Sequence, residues 1–265
     1  MRTIHVITGI VLLLTACTQK PSTESSVPVA ATDIAQDNLK GNVQQLESDT
    51  YLVDSTGKDS IDSKNIEVFD DKGYAASITN KNGKDSVLSE TSYTHNANGF
   101  LTNLSGKANG KTTFSLTLEY DSTGKYMMVK TYDSTGKMDS YYTDITSNAF
   151  GQPTGGKNYH ADSTLKMSFV TEYDSIYFVG SNSTDSTGKV VYSSKVKLND
   201  KKDAAELNEM SVTPDPKTKK DSTKNTVTTY TYDGWDSHGN WTQQTSLNEK
   251  GKPTKLIKRI IMYKD

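Results

Sequence analysis

Phe114-Ser115-Leu116-Thr117-Leu118-Glu119-Tyr120-Asp121-Ser122-Thr123-Gly124-Lys125 is the stretch from which the fold can be read. Phe114, Leu116, Leu118 and Tyr120 alternate with Ser115, Thr117 and Glu119, the two-residue period of a strand with two unlike faces. The run ends in Asp-Ser-Thr-Gly-Lys. Asp at the first position can bond its own backbone two residues on, and Gly at the fourth can take a positive φ. Together they make a type I turn that closes a hairpin through a G1 bulge.

The same pentapeptide recurs at Asp54 to Lys58, Asp133 to Lys137 and Asp185 to Lys189. Degenerate relatives run from Asp70 to Gly73, Asn80 to Gly83, Asn96 to Gly99, Asn148 to Gly151, Asp236 to Gly239 and Asn248 to Gly251. The spacing leaves room for one strand between successive turns, and Val227, Thr229 and Thr231 alternate with Thr228, Tyr230 and Tyr232 in the same way. The expectation is an all-β fold: a long antiparallel β-meander of hairpins, about fourteen strands, forming one twisted sheet that is open or curls towards a barrel. Helix is scarce, with a turn or two over Asp33 to Leu39 and a short helix over Asp203 to Met210. Leu198 to Asn225 breaks the rhythm with Lys, Asp and two prolines, and reads as a long loop.

Composition fits strands that are half wet. Of 265 residues, 33% are hydrophobic, too few for the core of a two-sheet sandwich, yet 15 are Tyr, which cover area while keeping a hydroxyl in water. The 30 basic and 32 acidic side chains exclude a strongly basic nucleic-acid binder.

The N-terminus carries an address. Arg2 precedes an apolar run through Leu14 that is too short to span a bilayer, followed by Leu14-Thr15-Ala16-Cys17. This resembles a bacterial lipobox, which implies a signal peptide over 1–16, lipidation of Cys17 and a membrane anchor. Residues 17–38, rich in Ser, Thr, Pro and Ala, read as the lipidated Cys and a flexible tether, and 39–265 as the repetitive sheet domain. Cys17 is the single Cys, so the domain beyond it has no disulfide or thiol nucleophile. Thr18 after the Cys resembles the sorting pattern of outer-membrane lipoproteins, and without an acidic cluster beside it the periplasmic side is favoured over the cell surface.

Tyr230-Thr231-Tyr232-Asp233 followed by Asp236-Ser237-His238-Gly239-Asn240-Trp241 resembles the YD repeat of Rhs and wall-associated proteins. So do Leu118 to Asp121, Thr131 to Asp133 and the closing Lys258 to Tyr263, while Leu39 to Val43 resembles the start of the folded part in small YD/RHS-repeat lipoproteins of Bacteroidetes. The resemblance implies the repeat fold and an envelope role.

Catalytic constellations do not stand out. Beyond the leader only His95, His160 and His238 remain, none at a metal-ligand spacing, and no phosphate loop or nucleophile elbow occurs, so no cofactor, metal or catalytic residue is assigned. Asp-rich turns lack the alternating carboxylates of a calcium loop. Trp235 and Trp241, with Tyr230 and Tyr232 nearby, could stack on sugar rings; the simpler reading makes Trp241 a cross-strand anchor. Asp-Ser followed by Thr, Ile or Val resembles an O-glycosylation sequon of exported Bacteroides proteins, with Ser55, Ser60, Ser86, Ser122, Ser134, Ser163, Ser175, Ser186 and Ser222 as acceptors. The functional expectation is a non-enzymatic envelope lipoprotein presenting a repetitive sheet surface to a glycan or an envelope protein, not to nucleic acid. The alternative is a carbohydrate-binding lipoprotein of a glycan-uptake system, and a third reading, hydrolysis by paired carboxylates, requires an acidic cleft.

Overall fold

The computed structural model describes residues 29–214 and 221–264. The expected signal peptide, Cys17 and the first part of the tether lie outside them. Among the described residues a short helix α1 (Asp33–Gln36) precedes sixteen strands. These are β1 (Val43–Val53), β2 (Asp59–Phe69), β3 (Ala75–Asn82), β4 (Val87–His95), β5 (Leu101–Ala108), β6 (Lys111–Tyr120), β7 (Tyr126–Asp133) and β8 (Met138–Ser147). The second half holds β9 (Pro153–His160), β10 (Leu165–Asp174), β11 (Tyr177–Asp185), β12 (Val190–Leu198), β13 (Ala204–Pro214), β14 (Asp221–Trp235), β15 (Trp241–Leu247) and β16 (Pro253–Tyr263). Each strand pairs antiparallel with its neighbours in sequence, and β16 returns to β1, from Val43↔Tyr263 to Leu52↔Lys255, so the sheet is a closed barrel. Closure satisfies the backbone groups that the first and last strands of an open sheet would leave unpaired.

The hairpin chemistry is as the turn residues dictate. At Asp121 to Lys125 the Gly124 N–H donates to the Asp121 carbonyl at 3.1 Å and the Asp121 N–H to the Lys125 carbonyl at 2.9 Å. Asp121 Oδ1 accepts from Thr123 N–H at 2.7 Å, Thr123 Oγ1 at 2.6 Å and Lys125 N–H at 3.0 Å, and Gly124 sits at φ 81°. One turn is framed differently from its sequence reading. The turn after β3 starts at Asn82, not Asn80, because the Asn82 side chain accepts from Lys84 and Ser86, and Asp85 instead of Gly83 takes the positive φ.

Three further expectations are corrected. The described residues of the segment 198–225 are not a long loop: β13 and β14 pair in unbroken register from Glu206↔Thr229 to Pro214↔Asp221. Asp203 to Met210 is not a helix but the start of β13, because two flanking strands offer its backbone a full ladder that outweighs the helix preference of Ala-Ala-Glu-Leu. The folded body begins before Leu39, since Ala30, Ala31 and Asp33 are buried.

Residues 29–42 close one end of the barrel. Thr32 caps α1 by accepting from the Ala35 N–H at 3.3 Å. Leu39, Val43, Leu46 and Phe69 form an apolar cluster with Ile34, Ile261 and Tyr263. A second cluster, Leu101, Leu116, Leu118, Tyr126 and Val129, continues along the inner wall of β5–β7.

Candidate functional site

Register decides which side chains face the lumen, because residues opposite each other on paired strands share a face. Leu46, packed on the closing segment, pairs with Ile261 and Glu67; two residues on, Ser48 pairs with Arg259 and Asn65. That face is therefore the interior. Towards the end away from α1 it is lined by small polar groups joined across strands. Asn65 Nδ2 donates to Asn80 Oδ1 at 3.0 Å, Asn80 Nδ2 to Ser89 Oγ at 3.1 Å, and Thr131 and Ser140 hydroxyls meet at 2.6 Å.

The opposite face is also polar. Gln243, Lys258, Asp49, Lys64 and Lys81 stand side by side in one row across β15, β16, β1, β2 and β3. Glu90 faces Lys107, Lys130 pairs with Glu119 at 2.6 Å and Lys197 with Glu206 at 2.8 Å. Both faces of the sheet are thus polar, which accounts for the low apolar content.

The closing segment is tied to hairpin turns around the rim. Ala30 N–H donates to the Asn98 carbonyl at 3.0 Å and Tyr74 hydroxyl to the Ala30 carbonyl at 2.8 Å. Gln152, fully buried, donates to Gln36 Oε1 at 2.7 Å and to the Ile176 carbonyl at 2.9 Å. Asn38 Nδ2 reaches Asp203 Oδ1 at 2.9 Å, and Lys40 exchanges two hydrogen bonds with the Asn240 side chain.

Beneath this segment lies a cluster of charges. Asp33 accepts from the Ala75 N–H at 2.6 Å, yet burial pushes its carboxyl up to about 7. Burial raises Asp37 to about 6 against the pull of Arg259, and raises Glu67 well above the usual range, with the charges of Asp37 and Asp33 adding to it. Arg259, enclosed by the wall, is drawn down to about 10 by burial, opposed chiefly by Asp37. Nothing in the sequence marked this cluster: α1, β2 and β16 are brought together only by closure.

The aromatic residues singled out from the sequence divide into two sets. Trp235 and Trp241 are cross-strand partners. Trp241 is 6% exposed and covered by the Arg259 guanidinium, while Trp235 is 38% exposed with Lys201 Nζ 3.3 Å above its ring. They do not form a bare stacking platform. Tyr232 lies between them, its hydroxyl donating to the Ala204 carbonyl at 2.6 Å. Tyr230 is elsewhere, in a cavity of about 370 Å³ on the inner wall, with Glu209, Thr228, Gln244, Ser246 and Lys255 around it. The nine sequon serines are all exposed; Ser55, Ser86, Ser134, Ser163 and Ser186 sit on turns at the end away from α1, and Ser122 and Ser175 on turns at the closed end. Among the described residues no group of His, Cys, Asp and Glu could hold a metal ion.

No protein family and no curated protein matches this chain. Among solved structures, a porin-like protein from Bacteroides uniformis matches with a TM-score of 0.54 at 11% identity, over 84% of this chain and 98% of that one. A porin-like protein from Bacteroides vulgatus is 11% identical over the same shares with a TM-score of 0.36. TcdB2-TccC3 matches with a TM-score of 0.31 at 15% identity over 78% of this chain, which spans 12% of that much longer one. The chain shares with the first of these its fold.

Proposed function

We propose that this protein is a non-enzymatic envelope lipoprotein, anchored to the outer membrane through Cys17, whose barrel stands in water as a cup closed at one end. The observation that carries this reading is the row Lys258, Asp49, Lys64 and Lys81 on the outer face. Spanning barrels turn an apolar band to lipid, and a Lys there costs about 2–4 kcal/mol at the bilayer midplane. A row of three lysines and a carboxylate belongs against water. The closing segment, sealed by Leu39, Val43, Leu46 and Phe69, makes the lumen a receptacle and not a channel. The test has two parts. Reconstituted protein should give no conductance in planar bilayers, and Cys17→Ala should release the protein from the membrane fraction into the soluble one. Steady conductance, or full membrane retention of Cys17→Ala, rejects the reading.

The carbohydrate-binding alternative is favoured by one observation, the placement of Tyr230 in the lumenal cavity among hydrogen-bonding side chains. It rests there and not on the Trp235 and Trp241 hairpin, where Trp241 is buried under Arg259 and Lys201 lies over the Trp235 ring.

A further inference from the structure

The inner wall of β13–β16 carries a built cavity whose chemistry is selective. Its volume of about 370 Å³ lies within the usual span of small-ligand sites, roughly 300–1,000 Å³. Three of its polar groups are held in place from behind. Glu209 Oε1 accepts from the Tyr192 hydroxyl at 3.0 Å, which orients the carboxylate. Gln244 Nε2 donates to the Tyr232 hydroxyl at 3.0 Å, and that hydroxyl donates in turn to the Ala204 carbonyl at 2.6 Å, so the amide is fixed with its oxygen as the remaining acceptor. Thr254 Oγ1 donates to the Ser246 carbonyl at 3.2 Å, bracing β16 against β15 beside the cavity.

The wall therefore offers two fixed acceptors, Glu209 and Gln244, one cationic donor, Lys255, and the hydroxyls of Thr228 and Ser246, which serve as either. Leu207, Ile257 and the half-buried Tyr230 ring supply apolar area between them. Lys255 and Glu209 cancel in charge, so neither an anion nor a cation is selected. Groups that both give and take hydrogen bonds, set around an apolar patch, match a molecule with a ring of hydroxyls and a C–H face. From this geometry we infer that the cavity is a binding site for a neutral mono- or disaccharide, entered from the end away from α1. The inference rests on the reading of the barrel as a water-filled cup, and it names what the cup holds.

Isothermal titration of the detergent-solubilised mature lipoprotein with glucose, N-acetylglucosamine, cellobiose and maltose tests it. At least one sugar should bind saturably. Glu209→Ala, which removes an acceptor, and Thr228→Phe, which fills the cavity, should each weaken that binding at least tenfold while far-UV circular dichroism stays unchanged. Trp235→Ala, outside the cavity, should leave it intact. The inference is overturned if none of the four sugars binds, if binding survives both cavity variants, or if Trp235→Ala abolishes it. Failure of the cup reading is seen separately, as conductance in bilayers, whatever the titration gives.

Discussion

The guanidinium carbon of Arg259 lies 3.4 Å from the centre of the Trp241 indole ring, inside the barrel wall and beside Tyr232, whose ring centre is 5.4 Å from that of the same indole. The contact joins β14, β15 and β16 and places one cation next to the acidic groups under the closing segment.

Trp241 and Trp235 differ in burial, so their truncation should differ in cost. Trp241→Ala empties a buried site and should lower unfolding free energy by about 3–5 kcal/mol. Trp235→Ala, at 38% exposure, should cost about 1 kcal/mol or less. Urea titration of both variants checks the contrast, and equal losses would contradict the placement of the two rings.

The closing segment should loosen as pH rises. Asp33, Asp37 and Glu67 have folded-state values above those of the unfolded chain, so the folded form keeps protons that the unfolded form gives up. The contributions of Asp33 and Asp37 are complete below about pH 4 and are lost as pH climbs through about 6 to 7, and the raised Glu67 acts in the same direction. For Asp33 alone, whose carboxyl is raised from 3.8 to about 7, the loss is about 4 kcal/mol. The turn carboxylates Asp54, Asp121, Asp133 and Asp185 act in the opposite sense, because hydrogen bonds from neighbouring Thr side chains and backbone N–H groups lower them, and their contribution is lost only in acid. Hydrogen exchange at the Ile34 and Leu39 amides should be faster at pH 8 than at pH 5 after correction for intrinsic rates. Asp33→Asn, which keeps an acceptor for Ala75, should flatten the trend.

Two turn glycines with nearly the same φ should respond differently to Ala. A Cβ on Gly99 would sit 1.9 Å from the Tyr74 hydroxyl oxygen, whereas nothing lies within 4 Å of one on Gly57. Backbone strain of about 1–2 kcal/mol applies to both. Gly99→Ala adds the displacement of Tyr74, for a total of about 2–5 kcal/mol. Melting curves of the pair should show the larger drop for Gly99→Ala.

Ser163 occupies the turn position that Gly holds in most other hairpins, at φ 67°. Ser163→Gly should therefore stabilise the fold by about 1 kcal/mol, visible as a raised denaturation midpoint with unchanged slope. A destabilised variant would mean that the Tyr141 hydroxyl bond to Ser163, 2.9 Å long, outweighs the strain.

Reading the chain by its turns worked at most places where Asp or Asn is followed three residues later by Gly, as at Asp121 and Asp236, but not at Asn80, whose neighbour Asn82 starts the turn. It faltered where that spacing was lost. The turn before β13 runs from Asn199 to Lys202, with Lys202 at φ 69°, and without Gly the segment looked like a loop followed by a helix. The site was less legible than the fold. Tyr230 and Tyr232 stood out as aromatic, but Glu209 and Gln244 are ordinary polar residues on alternating strands until the wall curves and sets them around one cavity.

The sequence by itself determined most of the strands and hairpins, though not β13, and their antiparallel order, because these depend on two-residue alternation and on contacts a few residues apart. Only the tertiary structure decided that the meander closes, that residues 29–42 stopper one end, and which polar face turns inward. Closure joins Val43 to Tyr263, across almost the whole folded length, and follows from twist and stagger summed over every strand. With both faces of the sheet polar, no local pattern could say which one would enclose the lumen.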